Sequence, residues 1–268
     1  MTAFETPGRL ELDLRVPVGE VELEAAETAT TEVELEPLHD DDASRNLAER
    51  ARVELRPRGE GHELLVDVPE EREFGIRFGR KAAVRLRVRC PQGATVAVKT
   101  RSADVAARGR FGPAGVRTVS GDIEWEAVDG EGTLESTSGD IHVEAVSGGL
   151  TLKTVSGDAV VGTVGGRLTA QSVSGDLRVD GVDGPVTTKS VSGDQRLTVA
   201  EGEVTLESVS GDLEARVRRG SRVYVDAAAL SGDVSSELEL SGVAGEAGGP
   251  LVEIRARSVS GDVKISRA

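Results

Sequence analysis

Apolar and polar residues alternate along this chain in a pattern that repeats every 18 residues from Thr118 to Asp212. The turn Ser-Gly-Asp recurs six times in this stretch, at the same place in each unit. When the residue two before that serine is called position 1, apolar residues recur at positions 6, 8, 15 and 17. Because successive side chains of a strand point to opposite faces, this period of two predicts short strands with one buried face each.

The inward positions are almost all aliphatic. Position 6 holds Ile123, Ile141, Ala159, Leu177, Gln195 and Leu213. Position 8 holds Trp125, Val143, Val161, Val179, Leu197 and Ala215. Trp125 and Gln195 depart from the aliphatic pattern. We predict that positions 6, 8, 15 and 17 are buried and that positions 7, 9 and 16 are exposed.

An 18-residue unit with two strands is too small to bury its own inner face. Stacking one unit on the next buries that face, because strands of neighbouring units then pair about 4.8 Å apart. The sequence therefore predicts an all-β fold, a β-solenoid of the β-helix or β-roll type whose coils have 18 residues and two short strands. Its core would be two facing stacks of Val, Ile and Leu, in agreement with an aromatic content of only 2%.

Residues 1–99 contain alternating segments but lack the repeat. We expect irregular, wider β coils on this N-terminal side, with one short helix that Ser44 caps and Leu47 anchors. Residues 100–268 are expected to form the regular repeat solenoid, continuous with the first part as a single domain. The stretch 241–250 is rich in Gly and is expected to form a protruding loop.

The repeated turn has a clear structural use. Glycine at position 4 supplies a positive φ without penalty, so every coil can turn at the same place. Stacking then brings the aspartates of position 5 into a row, where neighbouring charges about 4.8 Å apart in water repel by roughly 0.9 kcal/mol. Backbone N–H donors, bound cations or the side chains of a basic partner would each offset this repulsion. We expect the backbone donors.

The net charge and its distribution limit the classes of partner that the protein can bind. The chain carries a formal charge of −15, with an excess of Lys and Arg in residues 72–117 and an excess of Asp and Glu in residues 118–217. The acidic total argues against a protein that binds nucleic acid. The basic band is either a docking face for a phosphate or an acidic partner, or a solvated face that neighbouring acidic coils partly neutralise, and we expect the solvated face.

The chain offers little enzymatic chemistry. His39, His62 and His142 are isolated in sequence, and the single cysteine, Cys90, lies in no known motif. Phosphate-binding, nucleophile-elbow and paired-cysteine motifs are absent. We therefore assign no catalytic, cofactor-binding or metal-binding residue and expect no cofactor. A Ca²⁺-binding β-roll would need the repeat G-G-x-G-x-D-x-U-x. Here only one turn of each unit carries Asp in every repeat, and the other turn holds no fixed ligand: Asp129, Ser147, Gly165, Asp183 and Glu201.

The serial S-V-S-G-D turns, the entry segment 84–105 and the sequence FGIRFGRK before it together resemble a bacterial β-strand-repeat family. That family is labelled "putative adhesin" or domain of unknown function. The resemblance covers the chain from about residue 8 to its end. It implies a repeat β fold, and it leaves the biochemical role open.

The leading hypothesis is a non-enzymatic β-solenoid scaffold or protein-interaction module with an unknown protein partner. The alternatives are a carbohydrate-binding or carbohydrate-cleaving β-helix and a cation-binding β-roll. No segment has the length and apolarity of a membrane span. The single cysteine favours a cytoplasmic location. Lys264 and Arg267 would protect the open edge of the last coil, so we expect a monomer or a weak, salt-sensitive homo-oligomer.

Overall fold

A computed structural model describes residues 1–70, 81–238 and 249–268 of the chain. The chain divides into two compact units, Met1–Gly130 (unit 1) and Glu131–Ala268 (unit 2). Both units are built from stacked β coils, as the sequence predicts. The boundary at residue 99 between irregular and regular coils stays a prediction. Most of the expected loop at 241–250, and all but the last residue of the segment FGIRFGRK, lie outside the described residues.

Unit 1 contains one helix among strands of very different length. Its elements are β1 (Thr2–Glu5), β2 (Leu10–Ala26), β3 (Thr30–Pro37), α1 (Asp42–Arg50), β4 (Arg52–Arg58), β5 (Gly61–Asp67), β6 (Val84–Pro91), β7 (Thr95–Phe111), β8 (Ala114–Arg117) and β9 (Ile123–Val128).

Two strands of 17 residues, β2 and β7, organise unit 1. They run parallel to each other, and each also pairs with two shorter strands in succession: β2 with β5 and β6, and β7 with β8 and β9. Strands β1, β3 and β4 are antiparallel to their neighbours. These wide coils with antiparallel additions are the irregular N-terminal coils expected from the sequence.

The N-cap of the short helix of unit 1 lies three residues earlier than expected. Asp41 is the N-cap, and its Oδ1 accepts a hydrogen bond of 2.7 Å from the backbone N–H of Ser44. The expectation that Ser44 caps the helix is therefore wrong. Its hydroxyl is buried and accepts a bond from the N–H of Ala83 instead. Leu47 is buried, as predicted.

Unit 2 consists of short strands. They are β10 (Gly132–Glu135), β11 (Ile141–Val146), β12 (Leu150–Lys153), β13 (Ala159–Val164), β14 (Leu168–Ser174), β15 (Leu177–Val182), β16 (Val186–Ser192), β17 (Gln195–Val199), β18 (Gly202–Ser210), β19 (Leu213–Val217), β20 (Arg222–Ser231), β21 (Val234–Ser236), β22 (Leu251–Ser260) and β23 (Val263–Arg267).

Each coil of unit 2 has two strands, and each strand pairs in parallel with the equivalent strand of the next coil. Ile141 pairs with Ala159, and Leu150 pairs with Leu168, a step of 18 residues in both rows. Two rows of strands therefore face each other across a thin core. This is the β-solenoid arrangement with 18-residue coils that the repeat predicts.

Burial follows the predicted register with one added row and with corrections at the outward positions. Positions 7 and 9 are exposed as predicted except for three half-buried residues, Gly162, Thr198 and Glu214. Positions 6, 8, 15 and 17 are buried throughout the repeats. A third buried row, at position 11, consists of Val128, Val146, Val164 and Val182. The step of three residues from position 8 breaks the period of two, so alternation does not predict this row. Position 16 was expected to be exposed but is half-buried from Thr151 to Thr205, because threonines stack there on one another.

The two irregular core residues are accommodated differently. In unit 1, Trp125 is 1% exposed and packs edge-to-face against Phe111 with ring centroids 5.3 Å apart, and its strand pairs it with the small Ala107. In unit 2, Gln195 is also 1% exposed. Its Nε2 donates a bond of 3.1 Å to the carbonyl of Glu207, and its Oε1 accepts from the hydroxyl of Thr188. Both polar ends of Gln195 are thus satisfied inside the core.

The last coils of unit 2 are not stacked in chain order. Strand β22 pairs with β18 on one edge and with β20 on the other, and β23 lies in the same way between β19 and β21. The coil of residues 251–267 is therefore inserted below the coil of residues 222–236, which is the last coil of the stack among the described residues. The expectation that Lys264 and Arg267 protect the terminal edge is wrong for this reason.

Candidate interaction surfaces

The row of aspartates at the Ser-Gly-Asp turns is held by the backbone. In each case Oδ1 of one aspartate accepts a hydrogen bond from the backbone N–H of the aspartate in the next coil. In unit 2 the bonds are 2.8 to 2.9 Å long and run Asp140 to Asp158, Asp176, Asp194, Asp212, Asp262 and Asp233. In unit 1 the N–H of Asp122 donates to Asp104 over 3.0 Å. Backbone donors therefore offset the repulsion, and the next coil supplies them.

The glycines of these turns adopt two conformations. Gly175, Gly193 and Gly211 have positive φ, as expected, whereas Gly157 does not. At Gly157 a Cβ would lie 2.1 Å from the carbonyl oxygen of Gly139 in the preceding coil. Close approach of the coils, rather than φ, requires glycine there. The expectation of a positive φ in every coil is wrong.

The change of conformation also changes the hydrogen bonds of the turn. The N–H of Gly157 donates to the hydroxyl of Thr154 over 3.0 Å, whereas the N–H of Gly193 donates to the backbone carbonyl of Ser210. In the coils with positive φ, the position 1 hydroxyls of Ser190, Ser208 and Ser258 are buried and lack a partner.

A row of exposed aliphatic side chains lies beside the aspartates of unit 2, at position 2. The side chains are between 43% and 50% exposed, and we call them the aliphatic row: Val155, Val173, Val191, Val209 and Val259. Parallel pairing of the flanking residues sets them one above another. With strands about 4.8 Å apart, the row is roughly 19 Å long. Position 2 is outward because positions 15, 17 and 1 point inward, so the sequence did contain the signal for this surface.

The basic band of unit 1 is neutralised by its neighbours. Outward residues Arg85, Arg87 and Arg89 of β6 form a column between a glutamate column on β2 and another on β3. Arg85 contacts Glu20 at 2.7 Å, and Arg87 contacts Glu22 at 3.0 Å. These glutamates raise the pKa of both arginines above its ordinary value, mainly through side-chain hydrogen bonds. The contacts support the solvated-face interpretation for this part of the band.

A cleft of about 540 Å³ lies on this charged sheet of unit 1. Its walls include Glu24, Glu32, Arg89 and Arg108, so charges of both signs line it. Across the four strands β3, β6, β2 and β7 these residues occupy one transverse line in which the sign alternates. A cleft with this lining has no excess of one charge with which to select an anionic or cationic ligand.

The residues considered for chemistry lie apart from these surfaces. His142 is exposed, as predicted. Cys90 is fully buried, and burial raises the pKa of its thiol to about 12, which opposes formation of the reactive thiolate. The ring Nδ1 of His62 is buried without a partner. Among the described residues, no group of three or more His, Cys, Asp or Glu side chains is arranged to hold a metal ion.

The only helix in the described part of the chain, α1, is far too short to span a membrane.

Comparison with curated proteins gives no match. A solved structure from Clostridium sporogenes ATCC 15579, a "putative cell adhesion protein", is similar at 11% identity and a TM-score of 0.26. Their alignment covers 98% of this chain and 94% of that one.

The model of the family described as Toastrack DUF4097 matches residues 19–180 and 167–266. The matched residues include the wide coils of unit 1, all the regular coils of unit 2 and the inserted C-terminal strands. The chain belongs to this family of repeat β proteins, Toastrack DUF4097.

Proposed function

We propose that the protein is a non-enzymatic interaction module and that unit 2 binds a protein partner along the aliphatic row. The observation that carries this proposal is the exposure of five valines in consecutive stacked coils. Single exposed aliphatic side chains are ordinary on protein surfaces, whereas a contiguous apolar strip is a feature of binding sites. The hydrogen-bonded coils beneath hold the strip rigid, so binding needs little ordering of this surface.

The neighbouring aspartates indicate the chemistry of the partner. Each aspartate uses Oδ1 for the next coil, and its charge remains beside the aliphatic row. A partner segment with apolar side chains for the valines and Lys or Arg for the carboxylates fits both rows. The apolar and basic side chains of such a partner must recur about every 4.8 Å, because that is the distance between the stacked strands that carry the two rows.

The two alternative functions have weaker support. A cation-binding β-roll needs free carboxylate oxygens from neighbouring turns, and one oxygen of each aspartate already accepts a backbone N–H. A carbohydrate-cleaving β-helix needs a protonated acid beside a free carboxylate in a walled groove. The cleft of unit 1 is lined by glutamates, but Glu22, Glu24 and Glu34 each contact an arginine of β6, which favours their charged form and opposes a general acid. The cytoplasmic location expected from the single cysteine stays a prediction.

A capture experiment with matched variants tests the proposal. The full chain is immobilised as bait and incubated with an extract of the native host. Three forms of the bait are compared: wild type, the triple variant Val173→Ser, Val191→Ser, Val209→Ser, and the control variant Val160→Ser. Val160 is an exposed valine on a different strand of the same unit, so it controls for loss of a surface valine. Thr137 occupies position 2 naturally, so a hydroxyl side chain is compatible with the turn.

We expect a partner that wild type and Val160→Ser retain and that the triple variant loses. Retention of every captured protein by all three baits would contradict binding along the aliphatic row. Turnover of an acidic polysaccharide by the purified protein would instead favour the enzymatic alternative.

A further inference from the structure

The end of the stack in unit 2 leaves its core uncovered among the described residues. Strand β20 pairs with β22 on one edge and has no strand on its other edge within the described part of the chain. The inward residues Val252, Ile254 and Ala256 of β22 are 0% exposed. Their partners on β20, which no further described coil covers, are only half-buried: Val223, Val225 and Ala227.

The second strand of this last coil shows the same difference. Val234 of β21 is 48% exposed, whereas its partner Val263 in the coil below is 1% exposed. The outward face of β20 carries two further apolar side chains, Tyr224 at 65% and Leu230 at 84% exposed. Leu230 stands at position 2, next to Val259, and so adjoins the end of the aliphatic row.

Strand edges are normally protected by charged side chains, by bulges or by a covering segment. Both charged residues of β20 are already engaged, since Arg222 donates to the carbonyl of Gly249 over 3.2 Å and Asp226 pairs with Arg257 at 2.6 Å.

The sequence of β20 is complementary to itself when two copies run antiparallel. If the two-fold axis passes through Ala227, Tyr224 of one copy lies opposite Leu230 of the other, on the outward face. On the inward face Val225 lies opposite Ala229, and Ala227 lies opposite itself. Each pair joins residues of the same face, so the two cores become continuous.

Neighbouring registers are less favourable. An axis through Asp226 places the two Asp226 carboxylates directly opposite each other, where like charges repel. An axis through Ala228 places Leu230 opposite Asp226 and leaves no aliphatic partner for Tyr224. Only the axis through Ala227 pairs the two most exposed apolar residues of the strand with each other.

We propose that the terminal coil, residues 222–236, is a homodimer interface in which β20 pairs antiparallel with β20 of a second copy about a two-fold axis at Ala227. The interface is isologous, because the same surface serves both copies. It adds a covering strand to each open core and gives the free edge hydrogen-bond partners. Since its contacts are mainly apolar and backbone, the dimer is insensitive to salt, unlike the charge-driven association expected from the sequence.

Sedimentation velocity over a range of concentrations tests the dimer, using the full chain with a mass of 28.0 kDa. We expect wild type to associate to twice this mass at both low and high salt. Tyr224→Lys and Leu230→Glu should each weaken association at least about tenfold, a change of 1.4 kcal/mol. Both side chains are largely exposed, so the fold should persist, and circular dichroism checks this.

The double variant Tyr224→Lys, Leu230→Glu tests the register. In the proposed pairing each introduced ammonium faces the introduced carboxylate of the other copy, so association should recover and become sensitive to salt. Additive weakening in the double variant would overturn the register.

A cysteine at the axis gives a second measurement. Ala227→Cys should cross-link to itself with a short bis-maleimide, whereas Val191→Cys on the aliphatic row should not. Wild type controls for Cys90, which is fully buried. A wild type that stays monomeric at its highest attainable concentration would overturn the proposal, as would cross-linking through residue 191 alone. A monomeric wild type would leave capture of a partner by the aliphatic row untouched, whereas cross-linking through residue 191 would show that the row itself joins two copies.

Discussion

The repeated turns of unit 2 and the sheet of unit 1 around β6 stack their outward side chains by different rules. In two rows of unit 2 like lies on like: the aspartates, such as Asp158 and Asp176, and the threonines of position 16. In unit 1 the outward face of β6 alternates in sign with its neighbours, so that Arg87 lies between Glu22 and Glu34. The two units bury their inward residues in the same way, and the difference is confined to the surface.

The length of the side chain explains the two rules. Asp is short enough for Oδ1 to reach the N–H of the next coil, so a row of identical charges is offset by backbone donors. Glu and Arg carry their charged groups further from the backbone, where another side chain can also meet them, as Lys153 meets Glu135 at 3.3 Å in unit 2. Unit 1 also stacks like on like where it has aspartates at the turn, since Oδ1 of Asp104 accepts a hydrogen bond from the N–H of Asp122. Residue type, rather than position in the chain, therefore decides which rule applies.

The largest effect is expected where the two units are alike, in the core. Val161→Asp places a carboxylate where the side chain is fully buried and should destabilise the protein by more than about 4 kcal/mol, enough to prevent folding. Val160→Asp is the matched change on the exposed face of the same strand and should be nearly neutral. Soluble expression and thermal denaturation followed by circular dichroism measure both. Equal melting of the two variants would show that the register is wrong.

A smaller loss is expected when the coils of unit 2 are forced apart. In Gly157→Ala the new methyl group would lie 2.1 Å from a backbone oxygen of the neighbouring coil, and we expect a loss of about 3 kcal/mol. Gly181→Ala is the control, because its Cβ would meet Thr163 at an ordinary 3.7 Å. Urea denaturation gives both free energies of unfolding. If the control lost as much stability as Gly157→Ala, coil spacing would not be the cause.

Removing one aspartate tests the like-on-like rule directly. Asp158→Ala leaves the N–H of Asp176 without its acceptor and should cost about 1 kcal/mol. Asp158→Asn keeps an acceptor and removes repulsion, so its loss should be smaller. Chelation of metal ions by EDTA should leave the melting temperature of wild type unchanged. A large drop with EDTA would show that cations, rather than backbone donors, hold the row.

The smallest effect is expected in the alternating columns of unit 1. Arg87→Met keeps the aliphatic stem and removes the charge that contacts Glu22 and Glu34. Exposed ion pairs contribute little to stability and are screened by salt. The melting temperature should fall slightly at low salt, and the difference from wild type should disappear at high salt. A difference that persisted at high salt would point to packing rather than charge.

The sequence predicts those features of the fold that follow from its 18-residue repeat. The 18-residue step determines which residue lies over which, so coil stacking, two strands per coil and the inward positions all follow from it. Repetition does not determine the order in which coils stack, and the strands of residues 251–267 could be placed below those of 222–236 only by the structure. The buried valines at position 11 were missed because they lie out of phase with the period of two.

Of the two candidate interaction surfaces, one could be predicted from the sequence and the other could not. Valine at position 2 could be read from the repeat, and the phase of its neighbours makes it outward, so the aliphatic row followed from the sequence once exposure was considered. The self-complementary edge could not be predicted. It depends on β20 being the last strand of its row among the described residues, which repetition does not determine. Leu230 stands at position 2 before Ser231-Gly232-Asp233, whereas Tyr224 has no special pattern in the sequence.

The inserted C-terminal strands have a consequence for the order of synthesis. Residues 222–231 leave the ribosome before residues 251–260, yet β20 has its described partner only in β22. While the chain is still being made, the edge of β18 is free to receive β20 in the place that β22 later occupies. Completion of this part of the stack therefore waits for the synthesis of residues 251–267, which enter between two coils made before them.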